Sequence, residues 1–175
     1  MNTWSFQKTI CIAIIFLTAI IVYMPIIGND FVYDDYFVIV GNPGIQDNAN
    51  PFYFFSHPRA FFNDETGANL NYRPIGAWIF SIEFSYFQYN PQYYHALSIV
   101  LHALNAIILF LIFCFFFNKT ALAFLGSVIF LIHPIHTEVI ANAKSRDEIL
   151  SFLFIILTFI FALNYRESKN KSQLI

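Results

Sequence analysis

Hydrophobic residues in this chain collect in blocks too continuous for one-faced soluble helices, and most polar residues lie between the blocks. The first block, about residues 9–27, is free of charge and long enough to cross a bilayer as a helix. Lys8 precedes it as in a signal peptide, but Tyr23 to Gly28 offers no clean small-residue cleavage site, so the block reads as a retained span. Blocks at about 94–117, 121–136 and 149–165 predict three further spans. Between the first two lies a long loop, about residues 28–93. Within it Pro74 to about Phe87 reads as a helix with proline at the favoured first position. That helix is too short to cross and contains Glu83, so an interfacial or re-entrant placement is expected. The aromatic runs Pro51-Phe52-Tyr53-Phe54-Phe55 and Phe61-Phe62 suit the lipid headgroup level, and Asn63 to Asn69 reads as a polar turn. The expected fold is all-α. It is a polytopic membrane protein of about four transmembrane helices, one membrane domain over residues 1–175, with a long first non-cytoplasmic loop that contains interfacial helices.

Composition agrees with the pattern: 58% of residues are apolar and 11% charged, whereas soluble domains carry about 25% charge. A formal net charge of -2 gives no sign of a nucleic-acid partner. Cys11 and Cys114 both fall in hydrophobic blocks, where a disulfide framework has no use. Cation placement orients the chain. Lys8, Lys119, Arg166, Lys169 and Lys171 flank span ends on one side, while acids concentrate in the long loop, so both termini are expected inside. Asn118-Lys119-Thr120 and Asn170-Lys171-Ser172 match the glycan-acceptor pattern but fall on that inner side, which makes them accidental matches. Lys144 and Arg146 break the charge rule beside the outer turn. Two basic residues there suggest a held anionic group, and arginine suits phosphate.

Three features carry candidate chemistry. Asp34 and Asp35 follow directly on the first span, and carboxylates at a membrane edge either begin a solvated loop or pair and do chemistry. His95, Ser98, His102 and Asn105 share one helical face, as packing glue between helices or as the lining of a wet cavity. His133 and His136 lie across Pro134, without the spacing of a helical zinc pair and with no cysteine beside them, so no metal site is expected.

Val32-Tyr33-Asp34-Asp35 followed by Asn42, then Tyr72-Arg73-Pro74, then Tyr94-His95 through His102-Ala103-Leu104-Asn105, and above all His133-Pro134-Ile135-His136-Thr137-Glu138-Val139 with Arg146-Asp147, form an ordered set over about residues 28–155. This set resembles the membrane portion of the transmembrane and tetratricopeptide-repeat protein O-mannosyltransferases, which are similar to the wider GT-C glycosyltransferases. The resemblance implies a partial GT-C fold, the N-terminal part of a larger module. It implies transfer of a sugar, mannose above others, from a polyprenyl-phosphate donor to Ser/Thr hydroxyls of a polypeptide, with inversion by direct displacement. Asp34 takes the position of the catalytic base, with Asp35 beside it. Arg73, His95, His102, His133, His136, Glu138 and Arg146 become candidates for holding the donor phosphate or substrate. A hydroxyl must lose its proton as it attacks, and two close carboxylates repel, which raises one toward useful base strength. The implied partners are membrane lipid, the donor, the acceptor polypeptide, and either further C-terminal spans and tetratricopeptide repeats or a partner subunit. No cofactor is firmly implied, and the need for a divalent metal stays open. The implied location is the bacterial inner membrane or the endoplasmic reticulum membrane, with the site on the periplasmic or lumenal face. A second reading stands beside this one: a non-catalytic membrane subunit or scaffold derived from the family, because its enzymes have more spans and a soluble repeat region than this chain contains.

The charge pattern makes one direct prediction about topology. Single cysteines placed at Asn69 and at Asn142 should both react with a membrane-impermeant thiol reagent from the non-cytoplasmic side; labelling from opposite sides would remove the shared face.

Overall fold

The computed structural model describes residues 6–47, 50–61, 72–117 and 119–172, with side chains through Arg166. The expected Asn63–Asn69 turn, Phe62, the asparagine of the 118–120 acceptor match and the side chains of Lys169, Asn170 and Lys171 lie outside the described residues. Every regular element among those described is helical. Helix α1 (Phe6–Tyr23) runs into a 3₁₀ segment, Met24–Gly28, with Pro25 near its start. Short helices α2 (Pro43–Gln46) and α3 (Pro51–Ser56) follow, both begun by proline. The helix expected from Pro74 to Phe87 is present with those bounds as α4, and α5 (Pro91–Phe116) is the long second block. Then come α6 (Thr120–Ile132), α7 (His136–Ala141), a 3₁₀ turn Ala143–Ser145 and α8 (Arg146–Ser172).

Among the described residues three segments are long and apolar enough to cross a membrane: Phe6–Gly28, Pro91–Phe116 and Ala143–Arg166. The chain is therefore a multi-pass membrane protein. The third expected span, 121–136, differs in its end. Helix α6 stops at Ile132, because Pro134 drives the preceding His133 into an extended conformation (φ -64°, ψ 127°). Its 13 residues reach about 20 Å at ~1.5 Å per residue, against a hydrocarbon core of ~30 Å. The histidine motif is thus a turn that opens a new short helix.

Chain contacts divide into two compact units. The first comprises the chain through Val22, Ile99–His136 and everything from Glu148 onward. Its helices meet through small residues and a few polar links. Ala103, Ala106 and Ala123 are fully buried, the kind of small side chain that lets membrane helices approach closely. Asn105 donates its side-chain N–H to the Ile149 carbonyl at 2.9 Å, His102 Nε2 lies 3.1 Å from the Leu131 carbonyl, and Phe130 stacks on Phe152. Phe154, Ile155, Phe159 and Phe161 of α8 stay exposed. On a spanning helix such a face meets lipid at no cost.

The second unit comprises Tyr23–Ser98 and Thr137–Asp147. It has a more conventional core, with Phe31, Ile39, Phe54, Phe61, Phe80 and Tyr94 packed together. The polar links of this unit pin its irregular loops. Buried Asn42 donates to the carbonyls of Ala60 and Phe61, and Gln46 donates to those of Ile39 and Val40. Buried backbone oxygens need such partners wherever no regular ladder supplies them.

Gly126 sets the approach of α6 to α5: a Cβ there would sit 2.9 Å from the Phe113 ring. Gly126→Leu should therefore overpack that contact and cost about 1–3 kcal/mol, read as an earlier unfolding midpoint in a denaturing-detergent titration, while Leu125→Ala on the exposed face should leave the midpoint nearly unmoved.

Candidate functional site

Asp34 and Asp35 are held by a tight turn. The Asp35 N–H donates to the Val32 carbonyl at 3.0 Å, and Tyr33 between them lies in the left-handed region at φ 49°. A tyrosine there is strained by about 1–2 kcal/mol. After the turn the chain runs into a one-turn π-helix, Tyr36–Val40, a form that often marks functional positions. The result is that neighbouring carboxylates point into different surroundings.

Asp35 is fully buried. Its Oδ2 accepts N–H bonds from Val32 at 3.1 Å and Ala143 at 3.4 Å, and its Oδ1 accepts one from Lys144 at 2.7 Å. Burial pushes its carboxyl above the ordinary carboxylate value, while those N–H groups and nearby His95 pull the other way. Asp35 thus ties the first loop to the turn before α8. Both of its oxygens are already occupied by these donors. Asp34 remains 37% exposed in its side chain, and its Oδ2 lies 3.5 Å from the Lys144 ammonium. It is the carboxylate that an incoming group can reach.

The basic residues divide in the same way. Arg146 is fully buried and ion-paired to Glu83, with its Nε donating to Ser98 Oγ and an NH2 N–H to the Tyr94 carbonyl at 2.6 Å. The rings of Phe80 and Tyr94 cover the guanidinium at 5.4 and 5.6 Å. In this arrangement Arg146 holds α4, the start of α5 and the start of α8 together. Arg73 is partly exposed and ion-paired to Asp147. Gly76 makes room beside that pair, since a Cβ would meet Phe61 at 3.1 Å and Asp147 at 3.7 Å.

His95 is fully buried in the same unit, within electrostatic reach of Asp35 and close to the backbone of Asn29 and Asp30. Glu138 is exposed on α7. His102, His133 and His136 belong to the first unit and cluster there: the His102 and His136 rings are 5.1 Å apart and those of His133 and His136 6.0 Å. His102 stacks on Phe130, and His133 Nδ1 accepts the Ile135 N–H. Among the described residues no group of three or more His, Cys, Asp or Glu side chains is placed to hold a metal ion.

Glu83, Lys144 and Asp147 complete the charge pairs without having been marked as site residues by the sequence. Their signals were present. Glu83 is a carboxylate inside an otherwise apolar helix, which demands a partner. Lys144 is a cation on the acid-rich side of the chain.

No family model and no solved structure matches this chain. Curated proteins do. Human protein O-mannosyl-transferase TMTC1 is 32% identical over 137 residues, covering 75% of this chain and 15% of the relative. Human protein O-mannosyl-transferase TMTC3 is 30% identical over 142 residues, covering 79% and 15%. The Caenorhabditis elegans protein O-mannosyl-transferase F38B6.6 is 29% identical over 158 residues, covering 85% and 22%. The chain thus spans between 15% and 22% of the length of these relatives.

The buried Arg146–Glu83 pair should behave as a structural unit. Arg146→Met alone leaves a buried carboxylate unpaired and should destabilise by about 3–5 kcal/mol, whereas Glu83→Met combined with Arg146→Met should recover most of that loss. Unfolding midpoints in a double-mutant cycle measure the difference.

Proposed function

This chain belongs to the transmembrane and tetratricopeptide-repeat protein O-mannosyltransferase family, and from that premise we propose that it carries the acid–base end of a glycosyltransferase site. The donor is a polyprenyl-phosphate sugar, mannose by family, and the acceptor is a Ser or Thr hydroxyl of a polypeptide. The site faces the periplasm or the lumen, where such an acceptor arrives.

In the proposed reaction the acceptor oxygen forms a bond to the anomeric carbon as the bond from that carbon to the phosphate oxygen breaks. The electron pair leaves with the lipid phosphate, and the hydroxyl proton passes to Asp34. The observation that carries this reading is the split between the two aspartates. Asp35 is buried and saturated by backbone N–H groups, so it fixes the turn, and the adjacent Asp34 is held at the surface as a reachable carboxylate. Proton acceptance needs that access. Charge grows on the leaving phosphate, so a nearby cation lowers the barrier; Arg73, whose partial exposure and ion pair with Asp147 support this reading, is the cation assigned to it.

The test uses the active assembly to which the chain contributes, with labelled polyprenyl-phosphate mannose. Asp34→Asn should lower turnover by about 100-fold or more while leaving the unfolding midpoint close to that of the parent. Asp35→Asn should lower both, because an amide N–H then confronts backbone donors. Arg73→Ala should raise the donor KM more than it lowers kcat. Normal turnover in Asp34→Asn would return the chain to the scaffold reading.

A further inference from the structure

Lys144 is tied at both ends to the aspartate pair. Its backbone N–H donates to Asp35 Oδ1 at 2.7 Å, and its ammonium stands 3.5 Å from Asp34 Oδ2. The first bond is short, and both of its partners sit against the core of the unit. The second is longer than the ~2.7–2.9 Å of a tight charge-assisted hydrogen bond, and it joins side chains that are 15% and 37% exposed. So the root of the lysine is fixed while its charged tip is held loosely. An ammonium on a flexible stem can change partners without moving the backbone.

This has a chemical consequence for Asp34. The ammonium stands against one oxygen of that carboxylate, on the side from which a hydroxyl could otherwise approach it. The substrate class brings its own anion: a sugar phosphodiester carries one negative charge, and the phosphate monoester that leaves carries about -1.5 to -2.

We propose that Lys144 exchanges partners, holding Asp34 in the empty site and moving to the phosphate of a polyprenyl-phosphate ligand, which frees the Asp34 carboxylate to receive the acceptor proton. This rests on the reading of Asp34 as the base. The exchange makes the base available only when a donor is in place. It also favours the transition state, because the attraction of the ammonium for the phosphate strengthens as the bond to the sugar breaks and charge accumulates there. Once Asp34 has taken the proton it no longer competes for the lysine. Arg73, paired to Asp147 on the same turn that carries Lys144, stands in a parallel posture but is not linked to the base.

The experiment uses the full chain in lipid nanodiscs and measures two quantities: the rate at which an amine-reactive reagent labels Lys144, by peptide mass spectrometry, and the affinity for sugar-free polyprenyl phosphate. Polyprenyl phosphate should slow labelling of Lys144 severalfold, whereas polyprenol and inorganic phosphate at the same concentration should not. Asp34→Asn should speed labelling in the absence of ligand and should bind polyprenyl phosphate about two- to fivefold more tightly, the scale of a partly exposed ion pair that no longer competes. Lys144→Met should bind it more weakly, with Lys144→Arg restoring binding. Weaker binding by Asp34→Asn, or no protection of Lys144 by the lipid phosphate, would overturn the exchange, and equal protection by inorganic phosphate would overturn the lipid as its ligand. Because none of these readings requires sugar transfer, they separate from the base assignment: exchange intact with full turnover in Asp34→Asn would remove the base and keep the lysine.

Discussion

The second unit depends on one buried cation. Arg146 has no contact with water, and a guanidinium in that position must be neutralised and hydrogen-bonded or the fold does not form. Glu83 supplies the charge, Ser98 and the Tyr94 carbonyl accept its other N–H groups, and two aromatic rings close over its faces. These partners come from residues 83, 94 and 98, so one side chain sets the mutual placement of α4, the start of α5 and the turn before α8. That turn holds Ala143 and Lys144, whose N–H groups bind Asp35. The charge network therefore runs from an interior arginine through buried Asp35 to its part-exposed neighbour Asp34.

Within that network two adjacent carboxylates acquire opposite roles through their surroundings. Asp35 loses its access to solvent and gains backbone donors, which makes it an anchor. Asp34 keeps its access and faces the Lys144 ammonium. A strained tyrosine at φ 49° lies within the turn that presents them. Strain of that kind persists only where neighbouring structure enforces it, and here the Asp35 bonds do so.

The same division sorts the basic groups. Arginine, always charged and able to donate in several directions, occupies the interior as Arg146, while the compact ammonium of Lys144 faces the part-exposed Asp34. The histidines form no single set. His95 lies with the aspartates, and His102, His133 and His136 cluster among helices of the other unit, where Phe130 lies against both His102 and His136.

Much of the architecture was legible in the residues because lipid imposes simple rules. Long uncharged blocks mark helices, Pro74 marks a helix start, and the family pattern of the His133–Val139 motif marks ancestry. The helix from Pro74 to Phe87 could be read off with its bounds, since a proline and a polar turn delimit it. What the sequence could not decide was which charges face each other. Glu83 and Arg146 are 63 residues apart, and Asp35 and Lys144 109 apart; periodicity carries no information at that range. Nor could adjacency in sequence tell Asp34 from Asp35, because a carboxylate becomes an anchor or a reachable base only through burial and the donors that tertiary packing brings to it.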